Sequence, residues 1–134
     1  SVLVGSSDFI DKAHRYGKLY GGGIPQVGVI AAAALYAVDN NLDRLQKDHQ
    51  LAKNCAEALI EHKMLVDLQA TQTNIVIVDV SPSGRSAQEI AERFKSHGVL
   101  CIPFSPTRIR FVTHLEIDDD AIDCVISTFK KVFS

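Results

Sequence analysis

Two arginines separated by a single residue carry the chain's clearest chemical potential. They lie in Thr107-Arg108-Ile109-Arg110-Phe111-Val112-Thr113, whose alternation reads as a β-strand. That alternation sends Ile109 and Phe111 to one face and Arg108 and Arg110 to the other, with the two arginines roughly 7 Å apart at ~3.4 Å per residue. A strand that buries Ile and Phe needs no arginine opposite. A guanidinium is a planar fork of donors that matches a carboxylate or phosphate bidentately, so an arginine projecting from a sheet into a crevice can anchor a small acid. The same spacing also describes arginines that are solvated, or paired with acids from nearby helices, and spacing alone leaves both readings open.

The triplet Gly21-Gly22-Gly23 is the second candidate. It offers exposed backbone N–H groups just before a helix N-terminus, a physical recipe for holding phosphate, although an interhelix turn has the same composition. The triplet matches neither GxGxxG nor GxxxxGK[ST]. Five histidines, His14, His49, His62, His97 and His114, include no pair at metal-ligand spacing, so no metal site is expected. His49 falls on the apolar stripe of its helix and reads as a core or boundary residue. No GxSxG marks a hydrolase nucleophile, and Cys55 and Cys124 sit on helical faces that read as buried.

Length and composition bound what these residues can serve. With 134 residues, 46% hydrophobic content and a net charge of −2, the chain can bury a core of ordinary domain size. Lys and Arg are scattered rather than clustered, which gives no electrostatic footprint for nucleic acid. The longest apolar run, Val27 to Val38, is short of the ~20 residues that cross a bilayer, and no charged-then-apolar leader opens the chain, so no membrane association is expected. Three cysteines far apart suit a reducing compartment, and a cytoplasmic address is the simplest reading. The opening on Ser1, without Met or a polar tail, reads as a start in mid-protein.

The elements that must position the candidate residues follow from periodicity. Ser1 to Val4 read as the end of a strand, and a hydroxyl in Gly5-Ser6-Ser7 is placed to cap a helix from about Asp8, ended by the glycine triplet. From Pro25 the sequence is apolar on every side through Leu35, which predicts a buried helix. Leu42, Leu45, His49, Ala52, Ala56 and Leu59 describe an amphipathic third helix. Asn74 to Val80 is β-branched and short, a buried strand, followed by a Pro82-Ser83-Gly84 turn. Ser86 with Glu89 forms a capping box for a helix that Gly98 closes. Val99 to Ile102 reads as a strand, Pro103 to Pro106 as a loop, Thr107 to Thr113 as the arginine strand, and Asp118 as the start of a last helix. The result is an α/β chain with a small mixed β-sheet covered by helices. A boundary near Val38 separates residues 1–38, the end of another domain with its linking helix, from a small domain of residues 39–134.

At Ser1 to Ser6, at Gly21 to Ala33 and at Thr107 to Leu115, three segments in order and at matching intervals, the chain resembles the low-specificity L-threonine aldolases, and the resemblance covers essentially all of it. It implies the C-terminal part of a fold-type-I enzyme dependent on pyridoxal 5'-phosphate (PLP), usually tetrameric, a lyase that cleaves threonine or allo-threonine to glycine and acetaldehyde. PLP supplies an electron sink for the bond that breaks, and the protein fixes the substrate's orientation. The resemblance gives the grip on the substrate carboxylate to Arg110, with Thr107 able to assist, and leaves Arg108 a structural partner. It places Gly21, Gly22 and Gly23 near the cofactor phosphate. It also puts the family's Schiff-base lysine shortly before the position of Ser1, so no catalytic residue is expected in this chain, which alone should be inert. Pro25 stands where the family commonly has an arginine reaching the phosphate of an adjacent subunit, and proline brings neither charge nor N–H. Two alternatives stay open: a PLP enzyme of another reaction type, and a truncated or diverged paralogue acting as a subunit-interaction module.

Overall fold

A computed structural model describes residues 2–62 and 64–133, and the chain divides into two compact units, 1–43 and 44–134. The division falls between Asp43 and Arg44, whereas the sequence reading put it near Val38, a residue inside the second helix.

The first unit is two helices. In α1 (Ser7–Leu19), the Ser6 hydroxyl accepts from the Phe9 N–H, the expected cap. The helix stops at Tyr20, and Gly21 follows with φ of +84°, a left-handed conformation that side chains rarely adopt. α2 (Gly28–Asn41) carries the all-apolar run, and here the expectation of burial fails: neither α1 nor α2 contains a buried residue, and Val29 is 79% exposed. Two helices cannot enclose one that is apolar on every side. The expected opening strand is also not formed over residues 2–4, and Ser1, its first residue, lies outside the described residues.

The second unit holds the core. α3 (Leu45–Glu61) buries Leu51, Ala52, Cys55, Ala56 and Leu59 along one stripe, and His49 sits at its boundary. The sheet is built from β1 (Leu65–Val66), β2 (Ile75–Asp79), β3 (Ile102–Ser105) and β4 (Arg108–Val112), in the spatial order β1-β2-β4-β3. Between β2 and β3 runs α4 (Ala87–Ser96), and the chain ends in α5 (Asp119–Phe133). β3 had been expected as a loop, with a strand just before it. Pro103 lacks an N–H, and the strand accommodates it at the sheet edge with an irregularity in register between Pro103 and Ser105.

The sheet corrects one further expectation. A mixed sheet was anticipated, yet every pairing among the described residues is antiparallel. β2 and β3 do run parallel, as a crossover through α4 requires, but β4 returns between them, so the parallel strands are never neighbours.

Within the second unit the helices cover one face of the sheet. Val76, Val78, Ile109 and Phe111 point into a core with Leu51, Leu59, Ile90, Phe94, Ile122 and Phe129. Phe94 is its aromatic centre, with ring centroids 5.5 Å from Phe111 and 4.8 Å from Phe129, both edge-on. α4 begins with the expected capping box, the Ser86 hydroxyl accepting from the Glu89 N–H while the Glu89 carboxylate accepts from the Ser86 N–H. Gly98, at φ +83°, follows its end. Cys124 corrects an expectation: it lies off the buried stripe of α5 and is exposed, whereas Cys55 is buried.

The core position of Phe94 predicts that Phe94→Ala lowers the unfolding free energy by about 3–5 kcal/mol, read from denaturant midpoints. Its ring fills a site that three other phenylalanines define, so little collapse can refill the cavity. The capping box predicts a pH effect. The Ser86 N–H and hydroxyl hold the Glu89 carboxyl below the usual carboxylate range. A depressed folded pKa contributes stability that is present above the unfolded value and lost as pH falls through the folded one. Glu89→Gln should therefore lower the melting temperature at neutral pH and leave it little changed at pH 3; an equal loss at both would contradict the assignment.

Candidate functional site

The site is built on the sheet face opposite the core of the second unit. Antiparallel register sets Arg110 opposite Ile77 on β2 and Ile102 on β3, while Arg108 stands opposite Asp79 and Ser105. Because Ile109 and Phe111 are anchored in the core, the period of two leaves both arginines on the opposite face.

Their surroundings separate the two arginines. Arg108 Nε lies 3.8 Å from the Asp79 carboxylate, an exposed cross-strand pair. The Ser81 hydroxyl and backbone N–H, together with Arg108, hold the Asp79 carboxyl below its ordinary range. Arg108 is thus a surface partner of Asp79. Arg110, two residues on, is half-buried and has no acidic partner within 4 Å among the described residues. Its Nε is buried without a hydrogen-bond acceptor. A buried donor left unmet costs free energy, which sets the state of Arg110 apart from that of the paired Arg108.

Beside this row lies a cleft of about 640 Å³ on the same face, lined by Leu65, Ile75, Ile77, Asp79 and Arg108 and by the loop of residues 67–73. Arg110 does not line the cleft; it adjoins it through its register partner Ile77. The loop wall is held by the Asp67 carboxylate, which accepts from the Ala70 N–H at 3.1 Å, and by the Thr71 hydroxyl on the Asp67 carbonyl at 3.0 Å. Sequence reasoning missed both β1 and this wall. Two residues are too few for a periodic signal, and only the Asp67 turn chemistry hinted at them.

Thr107 occupies the β3–β4 turn, where its carbonyl accepts from the Val80 N–H at 2.8 Å. It lies three residues from Arg110, about 10 Å along a strand, so the fold does not bring the two side chains to one point. The glycine triplet belongs to the first unit. Its N–H groups are largely committed: Gly21 donates to the Lys18 carbonyl and Gly22 to the Gly17 carbonyl at 2.7 Å. A Cβ on Gly22 would stand 2.9 Å from that same carbonyl oxygen, so the closeness of this turn explains a glycine there without any ligand. Only the Gly23 N–H has no acceptor among the described residues.

The thiols offer little. Burial pushes Cys55 and Cys101 each up to about 11, which disfavours the thiolate a nucleophile or metal ligand requires. Among the described residues no group of three or more His, Cys, Asp or Glu side chains could hold a metal, and no helix is long and apolar enough to cross a membrane.

Comparison with known proteins shows the family. The model of the beta-eliminating lyase family matches residues 1–82. The probable low-specificity L-threonine aldolase 2 of Arabidopsis thaliana is 41% identical over 99% of this chain and 38% of its own length. The low specificity L-threonine aldolase of Escherichia coli (strain K12) is 40% identical over 91% of the chain and 35% of its own length. A third relative, the probable low-specificity L-threonine aldolase of Schizosaccharomyces pombe, is 30% identical over 98% of the chain and 32% of its own length. The chain therefore spans about a third of the length of these relatives. The chain belongs to the beta-eliminating lyase family and is related to the low-specificity L-threonine aldolases.

Proposed function

We propose that these residues are a portion of a PLP-dependent aldehyde-lyase that cleaves threonine or allo-threonine to glycine and acetaldehyde, and that Arg110 binds the substrate's α-carboxylate. The observation that carries this reading is the contrast between the two arginines: Arg108 is paired with Asp79, whereas Arg110 is half-buried, has a donor without an acceptor and faces away from the core. A guanidinium in that state is ready for a bidentate acid, and desolvation strengthens the pair it would form. The substrate's α-carboxylate is such an acid. Fixing it also fixes which bond at Cα can be broken, so one arginine contributes to both affinity and reaction choice.

The glycine turn does not fit the cofactor's phosphate in the same way. Two of its three amides are already spent on α1, and Pro25 adds neither donor nor charge. Phosphate and ring binding accordingly fall to residues of the longer protein, and no chemical step is assigned to Gly21, Gly22 or Gly23. The full protein is proposed to be a cytoplasmic homo-oligomer. Support comes from the exposed apolar residues of α2, among them Val29, Leu35 and Tyr36, which suit a subunit contact, and from three free cysteines, which suit a reducing compartment.

In the full-length protein, Arg110→Ala should remove a charge-assisted pair worth about 1.5–3 kcal/mol and so raise KM for threonine by about ten- to a hundredfold. Folding should be little disturbed, since the side chain makes no bond among the described residues. An unchanged KM and kcat would refute the assignment. Turnover of another amino acid without acetaldehyde release would replace the aldolase reaction with a different one of the same family.

A further inference from the structure

Among the described residues Arg110 makes no side-chain bond, so its aim depends on where β4 holds its backbone. Arg110 is paired with Ile77 on β2 and with Ile102, the first residue of β3, so among the described residues the rest of β4 beyond it is paired with β2 and held by whatever fixes its end. The end of β4 is tied by a buried polar network. Thr113, 4% exposed, follows the last residue of the strand and points to the core side like Ile109 and Phe111. Its hydroxyl donates to the Asp48 carbonyl on α3 at 2.7 Å. Its N–H donates to the Asn74 carbonyl at 2.9 Å, and the Asn74 side-chain amide donates back to the Thr113 carbonyl at 2.8 Å. This exchange extends the β2–β4 ladder one residue past the Ile75–Val112 pair. Arg44 completes the tie, one arm on the buried Asp48 carboxylate and the other on the Leu115 carbonyl.

A valine would fill the Thr113 site with nearly the same shape, so packing alone does not call for a hydroxyl there. What the hydroxyl adds is a directional bond between the arginine strand and α3. We infer that Thr113, seconded by Asn74, is a positioning residue for Arg110: by pinning the end of β4 it holds the guanidinium where the substrate carboxylate docks. The inference rests on the reading of Arg110 as the carboxylate anchor. A small displacement of an anchoring group weakens binding steeply, so losing the pin acts on substrate affinity through Arg110 and on nothing else in the reaction.

The experiment is a double-mutant cycle in the full-length holoenzyme with threonine as substrate. Thr113→Val should raise KM about tenfold with kcat held within about twofold, and Thr113→Ser, which restores the hydroxyl, should return KM to near the wild-type value. In the Arg110→Ala background Thr113→Val should add nothing to KM. Amide exchange at Arg110 and Phe111 should quicken in Thr113→Val. An unchanged KM in Thr113→Val, an effect that simply adds to that of Arg110→Ala, or undiminished protection of those amides overturns the inference. Should Thr113→Val not fold, Asn74→Ala, at a half-buried position, must show the same rise in KM alone, and an unmoved KM there overturns it equally. If Arg110→Ala raises KM while both positioning variants leave it unmoved, only this inference fails; if Arg110→Ala itself has no effect, the carboxylate-anchor reading fails first.

Discussion

The structure of the second unit depends on one constraint: β4 must bury Ile109 and Phe111, and a strand alternates. Both residues are held in the core, Phe111 through its edge-on contact with Phe94, so the residues between and beside them have no choice of face. The arginines are thereby forced outward by apolar packing rather than attracted there by a partner. A one-residue slip would drive two guanidiniums into the Phe94 cluster, at a desolvation cost far above anything the surface could return. The hydrophobic core thus specifies the polar site, and it does so with residues that never touch a ligand.

That constraint decides the face and leaves the aim to polar bonds. Asp79 takes up Arg108 because antiparallel register sets them opposite, and no carboxylate stands opposite Arg110, whose register partners are Ile77 and Ile102. The difference between a structural and a receptive arginine is thus a difference in cross-strand neighbours. Apolar neighbours shield Arg110 from water without satisfying it, a state that is costly in isolation and useful when an anion is to be bound.

This difference also marks how far the sequence could be read. The alternation of Thr107 to Thr113, the Ser86–Glu89 box and the glycine closing α4 are local signals, each decided within a few residues, and each appears where the pattern put it. The identity of the residue across the strand is not local. Nothing in the order of residues 74–80 says that β4, rather than β3, pairs with it, and so the antiparallel sheet, the Asp79–Arg108 pair and the unpaired state of Arg110 could not be read in advance. β1 escaped for a related reason: Leu65-Val66 becomes a strand only because the end of β2 is there to pair with. Pro103 misled in the opposite direction, since a proline argues against a strand interior and says nothing against an edge.

α2 shows the same limit at a larger scale. Its apolar run meets every local criterion for a buried helix, and in its own unit it has no cover. Periodicity reports that a surface must be removed from water and is silent on which atoms remove it, because the hydrophobic effect is non-directional. A run that is apolar all round asks for more cover than one neighbouring helix can supply. The glycine turn before it follows the converse logic. Gly22 is explained by the carbonyl of Gly17 at its Cβ position and Gly21 by its positive φ, two purely internal reasons that produce the same residue a phosphate cradle would have produced. Composition cannot separate these origins, whereas the direction in which each N–H points can, and here two of the three point back into α1.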